Sequence, residues 1–136
     1  MRVKIKKLHE NAVIPSYAKP GDAGMDLTAT EAFETSDHVT YRTGLSIEIP
    51  DGYVGLLFPR SSIYKKGQSL TNCVGVIDSG YRGEIMLKFT RSNNQYAVGD
   101  RIGQMIIMPY PRIQFEVVNK LSTTDRSSNG FGSTGV

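Results

Sequence analysis

The chain has 136 residues, of which 39% are hydrophobic and 21% charged, and its formal net charge is +3. This length and composition predict one folded domain with its own core and exclude wholesale disorder. The longest apolar runs, such as residues 105–108, are far shorter than the roughly 20 residues of a membrane span, so no membrane segment is expected. Basic residues occur in small groups without interleaved aromatic residues, which argues against nucleic-acid binding.

The N-terminus and the cysteine content point to a reducing compartment inside the cell, such as the cytoplasm. The first seven residues are basic, but no apolar segment of a secretory signal follows them. Cys73 is the single cysteine and has no partner for an intrachain disulfide.

Apolar and polar side chains alternate along several short segments, as they do in half-buried β-strands. The clearest are residues 45–49, 85–89 and 113–117. Further strands are predicted at residues 2–8, 38–42, 53–58, 73–77 and 104–109, separated by turns rich in glycine and proline. No long segment has helical periodicity, so we expect an all-β sandwich or barrel with one helical turn near Ser61–Lys66.

The apolar pattern stops after Val118. Residues 119–136 are rich in serine, threonine and glycine, with few large apolar residues. Such a segment buries too little surface to order itself. We therefore predict a β domain at residues 1–118 and a flexible arm at residues 119–136. The arm should be mobile unless a ligand or another subunit holds it.

Two segments in the predicted β domain present functional groups at strand ends. Pro59 stops a strand, and Arg60, Ser61 and Ser62 follow it as a set of donors suited to phosphate oxygens. Asp78 and Tyr81 flank a tight turn after the predicted strand at residues 73–77. The alternatives are a surface turn with a salt-bridging arginine and an aspartate that simply forms a turn.

Residues 130–135 of the arm match the glycine spacing G-x-G-x-x-G. The dinucleotide fingerprint of that form must follow a strand and open a helix, so a Rossmann interpretation is rejected. Backbone amides beside these glycines and the hydroxyls of Ser133 and Thr134 suit an anion, and Phe131 offers a ring for stacking on a base. The alternative is a mobile chain end.

A fourth segment, residues 23–29, places small residues around Asp26. With it, the chain resembles the trimeric dUTPase family from about residue 12 onward, because five segments match the family's five motifs in order. They are residues 23–27, 59–62, 75–83 and 99–104, and Arg126 together with residues 130–135.

This resemblance implies a jelly-roll-like distorted β-barrel that forms a homotrimer. Active sites would lie at subunit interfaces, and each C-terminal arm would exchange to close over a neighbouring site. The implied reaction is hydrolysis of dUTP to dUMP and pyrophosphate, which supplies dUMP and keeps uracil out of DNA. Asp78 would be the general base that activates water for attack on the α-phosphorus.

The resemblance also implies the substrate-binding residues. Asn72, Met86 and the main chain of Val76 and Ile77 would read uracil, while Tyr81 would pack under the deoxyribose. The phosphates would be held by Arg60, Ser61, Ser62 and Gln104, and from the arm by Arg126, Gly132, Ser133 and Thr134, with Phe131 stacked on uracil.

Mg²⁺ is the cofactor that the resemblance implies. It would be carried by the triphosphate, and Asp26 would reach it only through water. His9, His38 and Cys73 are too few and too scattered to form a zinc site.

Two rival interpretations share this fold. A dCTP deaminase would attack the base, and the glycine-rich arm with Phe131 argues against it. A catalytically inactive trimer could serve as a nucleotide-responsive regulator, which the presence of Asp78 and the complete arm disfavour.

Overall fold

The structure is a computed structural model and describes residues 1–135. Eight strands form two antiparallel four-stranded sheets. The first sheet contains β1 (Lys4–Lys7), β3 (Glu31–Glu34), β4 (His38–Glu48) and β7 (Glu84–Thr90). The second has the order β2-β8-β5-β6 and contains β2 (Met25–Thr28), β5 (Tyr53–Phe58), β6 (Gly75–Ile77) and β8 (Arg101–Pro109). The all-β prediction is confirmed.

Both sheets contribute side chains to one core, because strand alternation gives each sheet an apolar inner face. In β7, for example, Ile85, Leu87 and Phe89 are buried, and the residues between them are exposed. Tyr41 and Phe89 pack edge-to-face with Tyr96, with ring centroids 5.8–6.2 Å apart. This geometry is the one that aromatic quadrupoles favour.

The strand at residues 38–48 differs from the prediction of two separate strands. Gly44 adopts a left-handed φ of 68°, and the register of β4 against β7 shifts between Arg42 and Ser46. Glycine tolerates this conformation, so the strand continues through a local irregularity. β4 thereby pairs with β1 near its end and with β3 near its start.

Other strand boundaries also shift. β1 is shorter than the predicted residues 2–8, β6 starts two residues after the predicted residue 73, and β8 starts three residues before residue 104. β2 and β3 were not predicted, since strands of four residues are too short to show a clear alternation.

The predicted strand at residues 113–117 is wrong. Ile113, Phe115 and Val117 alternate as expected, yet they are 66%, 90% and 97% exposed, and no strand is formed there within residues 1–135. Alternation records the tendency of a segment to form a strand, but a strand also needs a partner edge. The described part of this chain supplies none.

The predicted helical turn is confirmed as a 3-10 helix, Ser61–Lys66. It begins directly after Arg60, whose backbone is extended, and ends at Gly67, whose φ is 61°. This short helix therefore holds the residues after Pro59 at the end of β5. In residues 1–135, no helix has the length and apolar character required to cross a bilayer.

Candidate active site

Two clefts open beside the second sheet. The first, which we call the arginine cleft, has a volume of about 350 Å³. It lies where β2 and β8 pair and β5 ends, with Asp26 opposite Gln104 in the ladder. Its lining residues are Ala18, Asp22, Ala23, Gly24, Asp26, Arg60, Ser61, Gln104 and Ile106.

Asp26 organises the charges of the arginine cleft. One carboxylate oxygen accepts a hydrogen bond from Arg60 Nε at 3.2 Å, and the other pairs with Arg101 Nη1, also at 3.2 Å. The Asp26 side chain is mostly buried, so these charge-assisted contacts fix both guanidinium groups with little competition from water. Asp26 thereby orients two guanidinium groups beside a cleft in which Asp22 is a second carboxylate, and guanidinium donors suit phosphate oxygens.

Gly24 allows the Gln104 side chain to lie against the backbone of residue 24. A Cβ at this position would overlap the Gln104 carboxamide oxygen. The amide nitrogen of Gln104 donates to the Pro59 carbonyl at 2.9 Å, which joins β8 to the segment that carries Arg60. The close approach of the Gln104 amide thus explains the small residue at position 24, next to Met25 and Asp26.

The second cleft, which we call the Asn72 cleft, has a volume of about 260 Å³. Leucine side chains form one wall, and Asn72 offers both donors and an acceptor. Thr71, Asn72 and Lys88 add polar groups to this lining, and such a mixture can both contact and orient a small ligand. Its lining residues are Leu57, Leu70, Thr71, Asn72, Gly75, Met86, Leu87 and Lys88.

The connection between β6 and β7, residues 78–83, carries Asp78 and Tyr81. Asp78 is exposed, and within residues 1–135 its carboxylate accepts no hydrogen bond. The Tyr81 ring folds over Gly83, where a Cβ would collide with it, and its hydroxyl donates to the Glu84 carbonyl at 3.1 Å. The ring is therefore held in place while the carboxylate stays free to accept a proton.

Glu84 anchors this connection to the first sheet. Its side chain is only 8% exposed, and its two oxygens accept hydrogen bonds from Gly44 N at 2.8 Å and Arg42 Nε at 2.7 Å. The hydrogen bond from Arg42 to Glu84 raises the pKa of the guanidinium. The Ser46 hydroxyl also donates to the Arg82 carbonyl. The connection thus has a rigid base.

Within residues 119–135, the C-terminal arm makes only local hydrogen bonds. Arg126 Nε donates to the Asn129 carbonyl at 3.1 Å, and Ser133 N donates to the Gly130 carbonyl, also at 3.1 Å. Phe131 is fully exposed and adopts a φ of 52°. Ser127, at a φ of 48°, also has the left-handed conformation that glycine adopts more readily.

A family model described as dUTPase matches residues 10–135. The chain belongs to the dUTPase family. The deoxyuridine 5'-triphosphate nucleotidohydrolase of Trichodesmium erythraeum is 43% identical over 141 residues, covering 99% of this chain and 99% of that protein.

Solved structures of the dUTPase family have the same fold. The Staphylococcus bacteriophage 80alpha dUTPase with dUpNHpp has a TM-score of 0.85 and 26% identity, and the match covers 99% of each chain. A dUTPase variant from phage phi11 of S. aureus, which coordinates a structural Mg(II) ion, has a TM-score of 0.74 and 25% identity, with 88% of this chain and 98% of that chain covered.

The candidate site residues fall into three groups in one chain. Asp26, Arg60, Ser61 and Gln104 meet in the arginine cleft, and Ser62 follows them in the 3-10 helix. Asn72 and Met86 line the Asn72 cleft, while Val76, Ile77, Asp78 and Tyr81 belong to β6 and the connection after it. The arm residues Arg126, Phe131, Gly132, Ser133 and Thr134 line neither cleft.

Sequence analysis missed the partnership of Arg101 with Asp26 and the positions of Thr71 and Lys88 in the Asn72 cleft. Arg101 lies in the fourth dUTPase motif, which was the available signal. Its role depends on the register of β2 against β8, which pairs Thr28 with Arg101. Amino-acid composition and motif spacing do not predict that register.

The donor set of the arginine cleft can be compared with the needs of a metal ion. Within residues 1–135, no three His, Cys, Asp or Glu side chains lie close enough together to hold one. Asp26 is the carboxylate between Arg60 and Arg101, and both of its oxygens are already engaged. This arrangement suits a hydrated ion that arrives with a polyphosphate.

Proposed function

We propose that the chain hydrolyses dUTP to dUMP and pyrophosphate, with Asp78 as the general base. The observation that carries the proposal is the exposed Asp78 carboxylate at the end of β6, which sits on a rigid connection and accepts no hydrogen bond in residues 1–135. The names of the curated relatives support the substrate. The reaction would supply dUMP and keep uracil out of DNA.

In the proposed reaction, the Asp78 carboxylate takes a proton from a water molecule as the water oxygen attacks the α-phosphorus. A new bond forms between phosphorus and oxygen. The bond from the α-phosphorus to the oxygen that bridges to the β-phosphorus breaks, and pyrophosphate leaves with the bonding electrons. Charge neutralisation by positioned donors supplies most of the rate enhancement.

We assign uracil to the Asn72 cleft. The Asn72 amide presents a donor and an acceptor to the edge of the base, together with the main chain of Val76 and Ile77, and Met86 lines the same cleft. Tyr81, fixed over Gly83, packs under the deoxyribose and leaves no room for a 2′-hydroxyl. Selection is then both steric and based on hydrogen bonds.

We assign the triphosphate to the arginine cleft. Arg60, Ser61, Ser62 and Gln104 donate to phosphate oxygens, and Asp26 holds the guanidinium of Arg101 beside the cleft. The arm contributes Arg126, Gly132, Ser133 and Thr134 when it closes, with Phe131 stacked on uracil. The glycine backbone at residue 132, with a φ of 82°, suits an amide turned toward an anion.

Mg²⁺ belongs to the proposal as a partner of the triphosphate. Asp26 would face it through water, because both carboxylate oxygens already accept from arginines. When bound, Mg²⁺ would neutralise part of the phosphate charge. Asp26 itself keeps Arg60 and Arg101 in position.

The proposed assembly is a homotrimer in which the arm is exchanged. The arm residues and Asp78 line neither cleft, so a complete site needs chain segments brought together by other subunits. Exposed Ile113, Phe115 and Val117 also have the alternation of a strand whose partner edge lies on another copy. We place the boundary between the β domain and the exchanged arm at residues 118 and 119, in a reducing intracellular compartment consistent with the lone Cys73.

Product analysis tests this function. Purified protein with Mg²⁺ is given dUTP, dCTP, dTTP or UTP separately, and dUMP, pyrophosphate and ammonia are measured. Pyrophosphate from dUTP alone is the expected result. Ammonia from dCTP would identify a deaminase instead, and no product from any nucleotide would favour a regulator.

A further inference from the structure

The C-terminal arm contains the chain's only asparagine that is followed by glycine, Asn129-Gly130. The side-chain carbon of an asparagine can be attacked by the backbone nitrogen of the next residue, which converts the asparagine into aspartate or isoaspartate without an enzyme. Glycine as the next residue favours this reaction, because it lacks the Cβ that hinders the approach. Asn129 is also exposed, so water has access to it.

The two reacting groups are free in the structure. Within residues 1–135, the Asn129 carboxamide forms no hydrogen bond, and the Gly130 N–H has no acceptor. Two turns follow each other here, because Asn129 N donates to the Arg126 carbonyl at 3.0 Å and Ser133 N donates to the Gly130 carbonyl at 3.1 Å. The Gly130 nitrogen lies at the junction of these turns, where no strand or helix restrains the backbone.

Glycine is not required at position 130 for steric reasons. A Cβ at this position would meet no atom of residues 1–135 within 4 Å. The φ of Gly130 also lies outside the left-handed region, in contrast to Gly132, whose φ is 82°. The property that glycine does change at position 130 is the access to its own backbone nitrogen.

We propose that Asn129 is a site of spontaneous deamidation, and that the isoaspartate product pairs with Arg126 and lowers turnover. The modification site follows from the sequence and geometry of the arm alone. Its effect on turnover rests on the proposed function, in which Arg126 donates to the phosphates of the substrate. Deamidation would thus inactivate the protein gradually as it ages.

The reaction consumes one water molecule and releases one ammonia. The Gly130 nitrogen gives up its proton to the solvent and attacks Cγ of Asn129. The bond from Cγ to Nδ2 then breaks, and Nδ2 leaves as ammonia, so a five-membered imide remains. Addition of water at Cγ breaks the new bond and gives aspartate. Addition at the main-chain carbonyl carbon breaks the original peptide bond and gives isoaspartate, in which the chain runs through the former side chain.

The isoaspartate carboxylate forms at a group that Arg126 already contacts. In the unmodified chain, Arg126 Nε donates to the main-chain carbonyl of Asn129 at 3.1 Å. When the imide opens at this carbonyl carbon, the same carbon becomes that of the free carboxylate. A hydrogen bond to a neutral acceptor is thereby replaced by an ion pair, and hydrogen bonds between charged groups are roughly twice as strong. Arg126 is then paired within its own arm, and the phosphates lose one donor.

The test is to age the full-length protein in warm, mildly alkaline buffer and to measure the modification directly. Peptide mass spectrometry locates the deamidated residue, and labelling by an isoaspartate-specific methyltransferase measures the isomer. Asn129 is expected to react about ten-fold faster than in Gly130→Ala, because the added Cβ raises the barrier to attack. Asn94 is the internal control and should stay intact, since its Nδ2 donates to the Lys65 carbonyl at 2.7 Å.

Turnover is measured on the isoaspartate form after its separation by ion-exchange chromatography. Its kcat/KM for Mg²⁺-dUTP is expected to be about ten-fold lower than that of fresh protein, as for the loss of one hydrogen bond to a charged group. Asn129→Gln, aged in the same way, should keep its initial kcat/KM, because glutamine would have to close a larger ring. In Arg126→Ala, the modification should lower kcat/KM little further, because the residue with which the product pairs is absent.

The two readouts separate this inference from the proposed function. An Asn129 that stays intact, or that reacts equally fast in Gly130→Ala, would overturn the modification site. Isoaspartate at residue 129 with unchanged kcat/KM, or with an equal loss in Arg126→Ala, would overturn its action through Arg126. Fresh protein that does not hydrolyse dUTP would refute the proposed function and the effect on turnover together, while mass spectrometry would still decide the modification site.

Discussion

Asp26 shows how a single carboxylate can orient two guanidinium groups. Its two oxygens hold Arg60 and Arg101 in a cleft lined by small residues. Each ion pair fixes the direction of a guanidinium fork, and geometry matters more than net charge for bidentate recognition of phosphate. The carboxylate therefore fixes the positions of both guanidinium groups.

Replacement of Asp26 by asparagine should raise KM for dUTP about ten-fold or more, because hydrogen bonds to a charged group contribute about 1.5–3 kcal/mol and both arginines lose their anchor. Steady-state kinetics at fixed Mg²⁺ measure the effect. Asp51→Asn is the control, since Asp51 pairs with Arg112 at 3.1 Å on an open surface where ion pairs contribute little. An unaltered KM in Asp26→Asn would show that the arginines do not depend on this residue.

The substitution Asp78→Asn addresses the proton acceptor. The amide keeps the size of the side chain but is not a base, so kcat should fall by roughly 10²–10⁴-fold while dUTP binding is retained. Single-turnover kinetics together with the affinity for a non-hydrolysable dUTP analogue give both quantities. Turnover within about ten-fold of the unmodified protein would remove Asp78 as the general base.

At the level of secondary structure, the connection between β6 and β7 is rigid because of one buried carboxylate. Glu84 bonds to Gly44 and Arg42 of β4, and Gly44 lies at the point where that strand shifts register. The irregularity in β4 therefore turns a backbone amide toward Glu84. The first sheet thus supports the connection that carries Asp78 and Tyr81.

Glu84→Gln should lower the stability by about 1.5–3 kcal/mol, because the side chain loses its charge and the Arg42 guanidinium loses its main counter-ion. Thermal or denaturant unfolding measures this change. Glu48→Gln provides the comparison, since Glu48 pairs with Lys4 at 3.3 Å on an exposed edge and should lose little. Equal losses in the two variants would argue against a special role for the buried network.

At the scale of the whole molecule, the three groups of functional residues are separated in one chain. Within residues 119–135 the arm makes hydrogen bonds only within itself, and neither cleft contains Asp78. A site assembled from several subunits accounts for this arrangement. It also allows two damaged subunits to complement each other.

A chain ending after Asp125 should fold normally but lose most turnover, roughly 10²-fold or more, because donors aimed at the phosphates are removed. Refolded together with full-length Asp78→Asn, it should regain activity well above the sum of the two separate variants. The comparison is the same mixture combined without unfolding, in which subunits have not exchanged. Activity that stays at the sum after joint refolding would place the whole site in one chain.

The sequence predicted what depends on local pattern. Alternation located the central strands, and Pro59 and Gly67 bracket the 3-10 helix that was expected after β5. Strand ends also located Arg60 and Asp78, since functional side chains often follow buried strands. These features need no knowledge of which strands are neighbours.

What the sequence could not predict depends on pairing. The contacts of Asp26 join residues 34 and 75 positions apart, and they follow from the register of β2 against β8 and from the end of β5. Residues 113–117 illustrate the opposite case, in which a strand pattern lacks a partner edge within the described chain.

The exposed stripe of Ile113, Phe115 and Val117 also bears on how the protein is made. A newly synthesised subunit carries an unpaired, apolar, β-prone segment that other unfolded chains can join as readily as the correct partner does. During production in cells, correct assembly therefore competes with aggregation. Slow synthesis and low temperature favour assembly. In the proposed homotrimer, pairing of this stripe with another copy would remove the exposed segment.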